Sequence, residues 1–169
     1  FTTRSPETVA VEFTEQQKSL HADLIGLIAR ILAHRHGDKN LLFMMTTIRR
    51  QAASCVYGLA PLLESILGRH LSKIQVSEMD CDFELDDVNA TFASFKADVE
   101  ALIDRARKLD EYDPKLEAFL KVIRDKQALA NNKLLVFSTF RHTLAYLTAR
   151  LAVESMRVGL IHGDIPDGE

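Results

Sequence analysis

Apolar residues recur along most of this chain at three- and four-residue spacing, which predicts a succession of amphipathic helices. Leu20, Leu24, Leu27, Ile28, Ile31 and Leu32 form one stripe, on a helix expected to run from Thr14 to about His36. Thr14 and Gln17 stand three residues apart at its start. That spacing fits a capping box, in which each side chain satisfies the other residue's backbone N–H. Gly37 suits the helix end and Asp38 the next start. The second helix then carries Leu41, Leu42, Met45, Ile48, Ala52 and Cys55 on its apolar face and Arg49, Arg50 and Gln51 between them. Gly58 to Pro61 interrupts the pattern. Pro61 fits the first turn of a short helix bearing Leu62, Leu63, Ile66 and Leu67, because its missing N–H has no helical partner there anyway.

Residues 77 to 87 are rich in carboxylates (Glu78, Asp80, Asp82, Glu84, Asp86, Asp87) and are expected to form a solvated loop. From Val88 to Leu109 the helical period returns, with Phe92, Phe95, Val99, Leu102, Ile103 and Ala106 on one face. Asp113-Pro114 is a strong restart signal: an acceptor at the cap followed by a residue with fixed φ. The stripe that follows comprises Leu116, Phe119, Leu120, Ile123 and Leu129, and Asn131-Asn132 closes it.

Three segments follow a different pattern. Val9, Val11 and Phe13 alternate as in a short strand. Leu134-Leu135-Val136-Phe137 is continuously apolar, as in a strand buried on both faces of a parallel sheet, and Arg157 to Ile161 is similar. Between the last two, Ser138 and Thr139 are placed to cap a helix carrying Leu144, Leu147, Leu151 and Ala152. The expected fold is therefore mostly α with a small α/β part: a helical region over 1–132, then a strand–helix–strand unit over 133–169.

In parallel α/β sheets ligands gather beyond the carboxyl ends of the strands. Two such ends are expected here, at Ser138-Thr139-Phe140-Arg141-His142 and at His162-Gly163-Asp164. The string KLLVFSTFRHTLAYLTARL resembles motif IV of the Swi/Snf-like branch of superfamily-two helicases, and Arg157 to Asp164 is similar to the next block. The Thr-Glu-Gln-Gln helix start and the Ile48-Arg49-Arg50-Gln51 helix occur upstream in the matching order. The resemblance implies a fragment of an ATP-dependent nucleic-acid translocase: an inter-lobe helical region, then the truncated start of the second RecA-like lobe. It further implies that Ser138, Thr139, Phe140, Arg141, His162, Gly163 and Asp164 meet the backbone of duplex DNA. A physical basis exists. Hydroxyls and N–H groups at a helix start can hold a phosphate, and Gly163 permits close backbone approach. ATP and magnesium are implied for the parent protein and none for the fragment. The sequence holds no Gly-rich loop ending in Gly-Lys-Ser/Thr and no Asp-Glu pair at a strand end, so the fragment itself is expected to lack ATPase activity.

Composition narrows this picture. Hydrophobic residues at 47% and charged residues at 27% describe a chain that folds. A net charge of −3 gives no global attraction to nucleic acid, so any such contact is local. The Arg49-Arg50 pair reads more readily as a solvated helix face than as a backbone contact. Cys55 and Cys81 lack a nearby ligand set, no apolar run is long enough to cross a membrane, and a cytoplasmic location without membrane partners is expected. His34 and His36 read as solvated residues at a helix end. A competing reading is a non-enzymatic helical protein–protein interaction module. In the motor reading the unpaired sheet edges lead to disorder, swapping or self-association.

Overall fold

The computed structural model describes residues 5–34, 37–67 and 93–161, and all statements below concern these. In chain order the elements are α1 (Glu15–His34), α2 (Lys39–Ser54), a 3-10 turn (Val56–Gly58), α3 (Leu59–Leu67), α4 (Lys96–Arg107), α5 (Pro114–Gln127) and α6 (Arg141–Val153).

The starts of these helices show local chemistry at work. Thr14 N–H donates to Gln17 Oε1 at 3.0 Å and Gln17 N–H to Thr14 Oγ1 at 3.2 Å, the reciprocal box expected from the sequence. Gly37 adopts a φ of +87°, a conformation glycine tolerates without a Cβ clash. Asp38 Oδ1 accepts from Leu41 N–H at 3.0 Å, and Asp113 Oδ1 accepts from Lys115 N–H at 3.0 Å ahead of Pro114.

The helices bury two separate apolar clusters. The larger takes Leu20, Leu24, Leu27 and Ile31 from α1, Leu41, Met44, Met45, Ile48 and Ala52 from α2, and the inner faces of α3 and α4. Burying a single leucine stabilises by about 1.5–3 kcal/mol, so this cluster is the main source of stability. Around its rim, Arg30 pairs with Asp98 at 3.1 Å, and Arg105 of α4 pairs with Asp23 of α1. The smaller cluster joins Leu116, Leu120 and Ile123 of α5 to Leu151 of α6, with Phe119, Tyr146, Leu147 and Met156 packed against it. Thus α5 shares its core with α6 and not with the α1–α4 bundle.

Three expectations are corrected. Among the described residues there is no strand, so the small α/β part and its RecA-like strand–helix–strand are not formed. The physical reason is pairing. An apolar run becomes a strand only when a neighbour takes up its backbone N–H and C=O groups, and among the described residues no such pairing is formed. Leu134 to Phe137 instead forms an irregular, solvent-facing connection, with Leu135 81% and Phe137 88% exposed. Arg157 to Ile161 does likewise, and Val9 also lies in the open. Three residues of the expected stripes are exposed as well: Leu42 points outward while Met44 takes the inward place, Leu129 lies beyond the end of α5 at Gln127, and Ala152 faces solvent beside buried Leu151. Finally, Ser138 and Thr139 do not cap α6. Its N-cap is Phe140, with extended backbone and no side-chain cap bond.

Candidate functional site

The two motif-bearing stretches, Ile48–Gln51 and Ser138–His142, lie about ninety residues apart in the chain, and the fold brings them together. The last turn of α2 meets the first turn of α6 across the 3-10 turn. Gln51, which is 1% exposed, donates from Nε2 to Thr143 Oγ1 at 3.2 Å and to the Cys55 carbonyl at 3.2 Å. Ser54 Oγ and Thr143 Oγ1 lie 3.1 Å apart. One turn toward solvent, the Arg50 guanidinium lies over the Phe140 ring, 5.8 Å from its centroid. That is within range of a cation–π attraction worth about 0.5–1 kcal/mol at an exposed position. Arg49, beside it, is exposed.

Gly58 sets how closely these elements approach. A Cβ built on it would lie 2.6 Å from Gln51 Nε2 and 3.1 Å from His142 Cβ. The absence of a side chain at Gly58 lets α6 cross the 3-10 turn nearly backbone to backbone. The same crossing half-buries His142, and desolvation holds its imidazole below the ordinary value of 6.5.

Behind this contact runs a line of polar and aromatic groups. Lys115 Nζ donates to the carbonyls of Ala53 and Ser54 at 2.9 and 2.7 Å, so a cation from α5 caps the C-terminus of α2, where the helix dipole favours it. Tyr57 and Tyr146 stack with ring centroids 5.1 Å apart and planes 4° from parallel. Tyr146 Oη donates to Asp113 Oδ2 at 2.9 Å. Burial first, and then the neighbouring Asp113 carboxylate, push the Tyr146 phenol well above its usual range. Tyr57 Oη lies 2.7 and 3.0 Å from the Asp110 and Tyr112 carbonyls, and it accepts from Gln17 Nε2 at 3.3 Å. Burial is the main cause raising the Tyr57 phenol too.

Of the residues singled out in the sequence, Ser138, Thr139, Phe140 and Arg141 lie on the approach to α6 and its first turn. Ser138 Oγ accepts from Phe140 N–H at 3.1 Å, making a local turn. Its hydroxyl therefore shapes the entry into α6. His162, Gly163 and Asp164 lie outside the described residues, as do the acidic stretch 77–87, Cys81 and His36. Arg49 and Arg50 are both exposed, as a solvated face requires, and Arg50 in addition lies over Phe140. The sequence pattern marks Gly58 only as an interruption and does not single out Tyr57, Lys115, Thr143 or Tyr146. The available signals were a glycine off the helical period and two tyrosines at half-buried positions; neither names a partner.

Cys55 is buried, and burial pushes its thiol up to about 11, so it stays protonated at neutral pH. Among the described residues no group of three or more His, Cys, Asp or Glu side chains is arranged to hold a metal, and no helix is long and apolar enough to cross a membrane. Comparison with protein-family models, with curated proteins and with solved structures finds no match.

Proposed function

We propose that this chain is the inter-lobe portion of a Swi/Snf-like, ATP-dependent nucleic-acid translocase, and that the junction of α2 with α6 faces the phosphate backbone of duplex DNA. The observation carrying this reading is the meeting of the end of α2 with the start of α6: Arg50 on Phe140, with Gln51 bonded to Thr143 just beneath. These are the two stretches whose sequences resemble that family, and their contact supplies what the net charge of −3 does not, a local cationic surface. The Arg50 guanidinium is already held over a ring and so loses less freedom on gripping a phosphate than a free one, and no side chain caps the N-terminus of α6 beside it. In this reading ATP and magnesium are bound by sequence other than these 169 residues, which hold no phosphate-binding loop. The chain's own contribution is contact and positioning.

The test is a titration of a labelled short DNA duplex with the chain at low and moderate salt. The expected result is weak binding that falls steeply with salt and is lost in the Arg49→Glu/Arg50→Glu variant. Binding indifferent to that charge reversal, or none at low salt, overturns the proposal. A second reading, a non-enzymatic helical interaction module, is favoured by the exposure of Leu135, Phe137 and Ile161 outside the helices. It predicts capture of a protein partner with no response to DNA.

A further inference from the structure

Leu134, Leu135, Val136 and Phe137 are 41, 81, 41 and 88% exposed, and among the described residues none of their backbone N–H or C=O groups enters a hydrogen bond. Consecutive apolar side chains held in water, on backbone with no partner, make a segment that pairs readily with another chain. We infer that this run is a self-association site, through which two copies of the chain join as a two-stranded antiparallel ribbon about a twofold axis at Val136.

The second exposed run, Arg157–Ile161, suits pairing less. Arg157 brings a charge into it, and Gly159 interrupts it without a side chain to pack. Leu134–Phe137 contains no charge, no proline and no glycine, and Val136 and Phe137 favour strands. Its exposure alternates with the period of a strand, so Leu135 and Phe137 are displayed while Leu134 and Val136 are half-covered. Buried in both copies, these side chains supply on the order of 800–1,000 Å², the low end of specific interfaces, so the dimer is weak and depends on concentration.

The charge beside the run selects a second copy in one register. Parallel, in-register pairing would set each Lys133 against another Lys133, and like charges directly opposite one another are destabilising. Antiparallel pairing about Val136 sets Lys133 against Thr139 and Leu134 against Ser138 of the second copy. Leu135 of each copy then faces Phe137 of the other, so the most exposed side chains cover each other on one face of the ribbon. Moving the axis to Leu135 would set Lys133 against Phe137 and lose that match. Because each contact occurs twice about the axis, the interface closes at two copies. The pairing does not rest on the nucleic-acid reading, and its test uses no nucleic acid.

Sedimentation of the full chain over a range of concentrations, with oxidative cross-linking of single-cysteine variants, decides it. Those variants are made in a Cys81→Ser background with buried Cys55 left in place. The mass is expected to rise from one copy to two with concentration. Leu135→Lys combined with Phe137→Lys, a change confined to exposed side chains, is expected to stay at one. Val136→Cys places the two thiols directly opposite each other, whereas Leu134→Cys sets them about 13 Å apart along the ribbon, beyond the reach of a disulfide. Val136→Cys should therefore form a cross-linked dimer at least about tenfold faster than Leu134→Cys. A chain that stays monomeric up to about millimolar concentration overturns the inference and leaves the run to a different protein. Dimers that persist in the Leu135→Lys/Phe137→Lys variant overturn it too, as does an open series of larger oligomers or equal cross-linking at the two cysteine positions.

Discussion

Gly58 is the residue on which the junction depends most directly. Any side chain there meets Gln51 Nε2 and His142 Cβ at once. Gly58→Ala is therefore expected to lower stability by about 1–3 kcal/mol, the range for overpacking a tight site, and to shift the Thr143 resonances, as denaturant unfolding and amide NMR would read. His142 beside it gives a pH signature. Its folded-state value lies below 6.5 because burial disfavours the cation, so the unfolded chain takes up a proton more readily. The resulting stability is complete above 6.5 and is lost as pH falls through the lowered folded value. Melting temperatures taken across mildly acidic pH should drop less steeply in His142→Asn. Cys55 gives a third residue-scale test. With its thiol pushed up to about 11 and its side chain buried, it should resist thiol reagents at neutral pH until the chain unfolds, as mass spectrometry of labelled protein would show. Fast labelling of Cys55 in the folded state would contradict the burial described here.

At the scale of single elements, the best-specified feature is the start of α5. Asp113 caps the helix through Oδ1 and takes the Tyr146 hydroxyl on Oδ2, so one carboxylate both starts α5 and holds α6 to it. Asp113→Ala is expected to cost about 2 kcal/mol, the upper end for loss of a cap, because the Tyr146 hydroxyl loses its acceptor too. Tyr146→Phe should cost less, since the stack on Tyr57 survives; both are measured by urea unfolding. Elements of this kind were legible in the sequence because their signals are local. Thr14 with Gln17, Asp38, and Asp113 with Pro114 each announce a helix start within four residues, and each is found where expected. The start of α6 was not legible. Ser138 and Thr139 look like caps, but Ser138 turns back on Phe140 N–H and the helix begins later. Two arrangements satisfy the same hydroxyl, and local sequence does not choose between them.

For the whole molecule, the distinction is between what periodicity encodes and what pairing encodes. The inner faces of α1 and α4 follow from apolar spacing alone, whereas that of α3 also takes in Leu59 and Ala60, in the stretch read as an interruption. The apolar runs at Leu134–Phe137 and Arg157–Ile161 carry strand character in their residues, yet a strand also requires a neighbour that the run itself cannot specify. They accordingly lie irregular and exposed, and the expected sheet is absent among the described residues. The junction was half legible. Both of its flanks, Ile48–Gln51 and Ser138–Arg141, stood out in the sequence, but their meeting depends on Gly58 and Thr143, which act only once the chain is folded.

The central claim is that these two flanks form one phosphate-facing surface. Titrating a short DNA duplex into isotope-labelled chain and following the backbone amides tests it most directly. Shifts are expected to cluster at Arg49, Arg50 and Ser138–Arg141 and to disappear at high salt, with the α1–α4 core unperturbed. Shifts scattered over the chain, or confined to surfaces away from the α2–α6 junction, would contradict it.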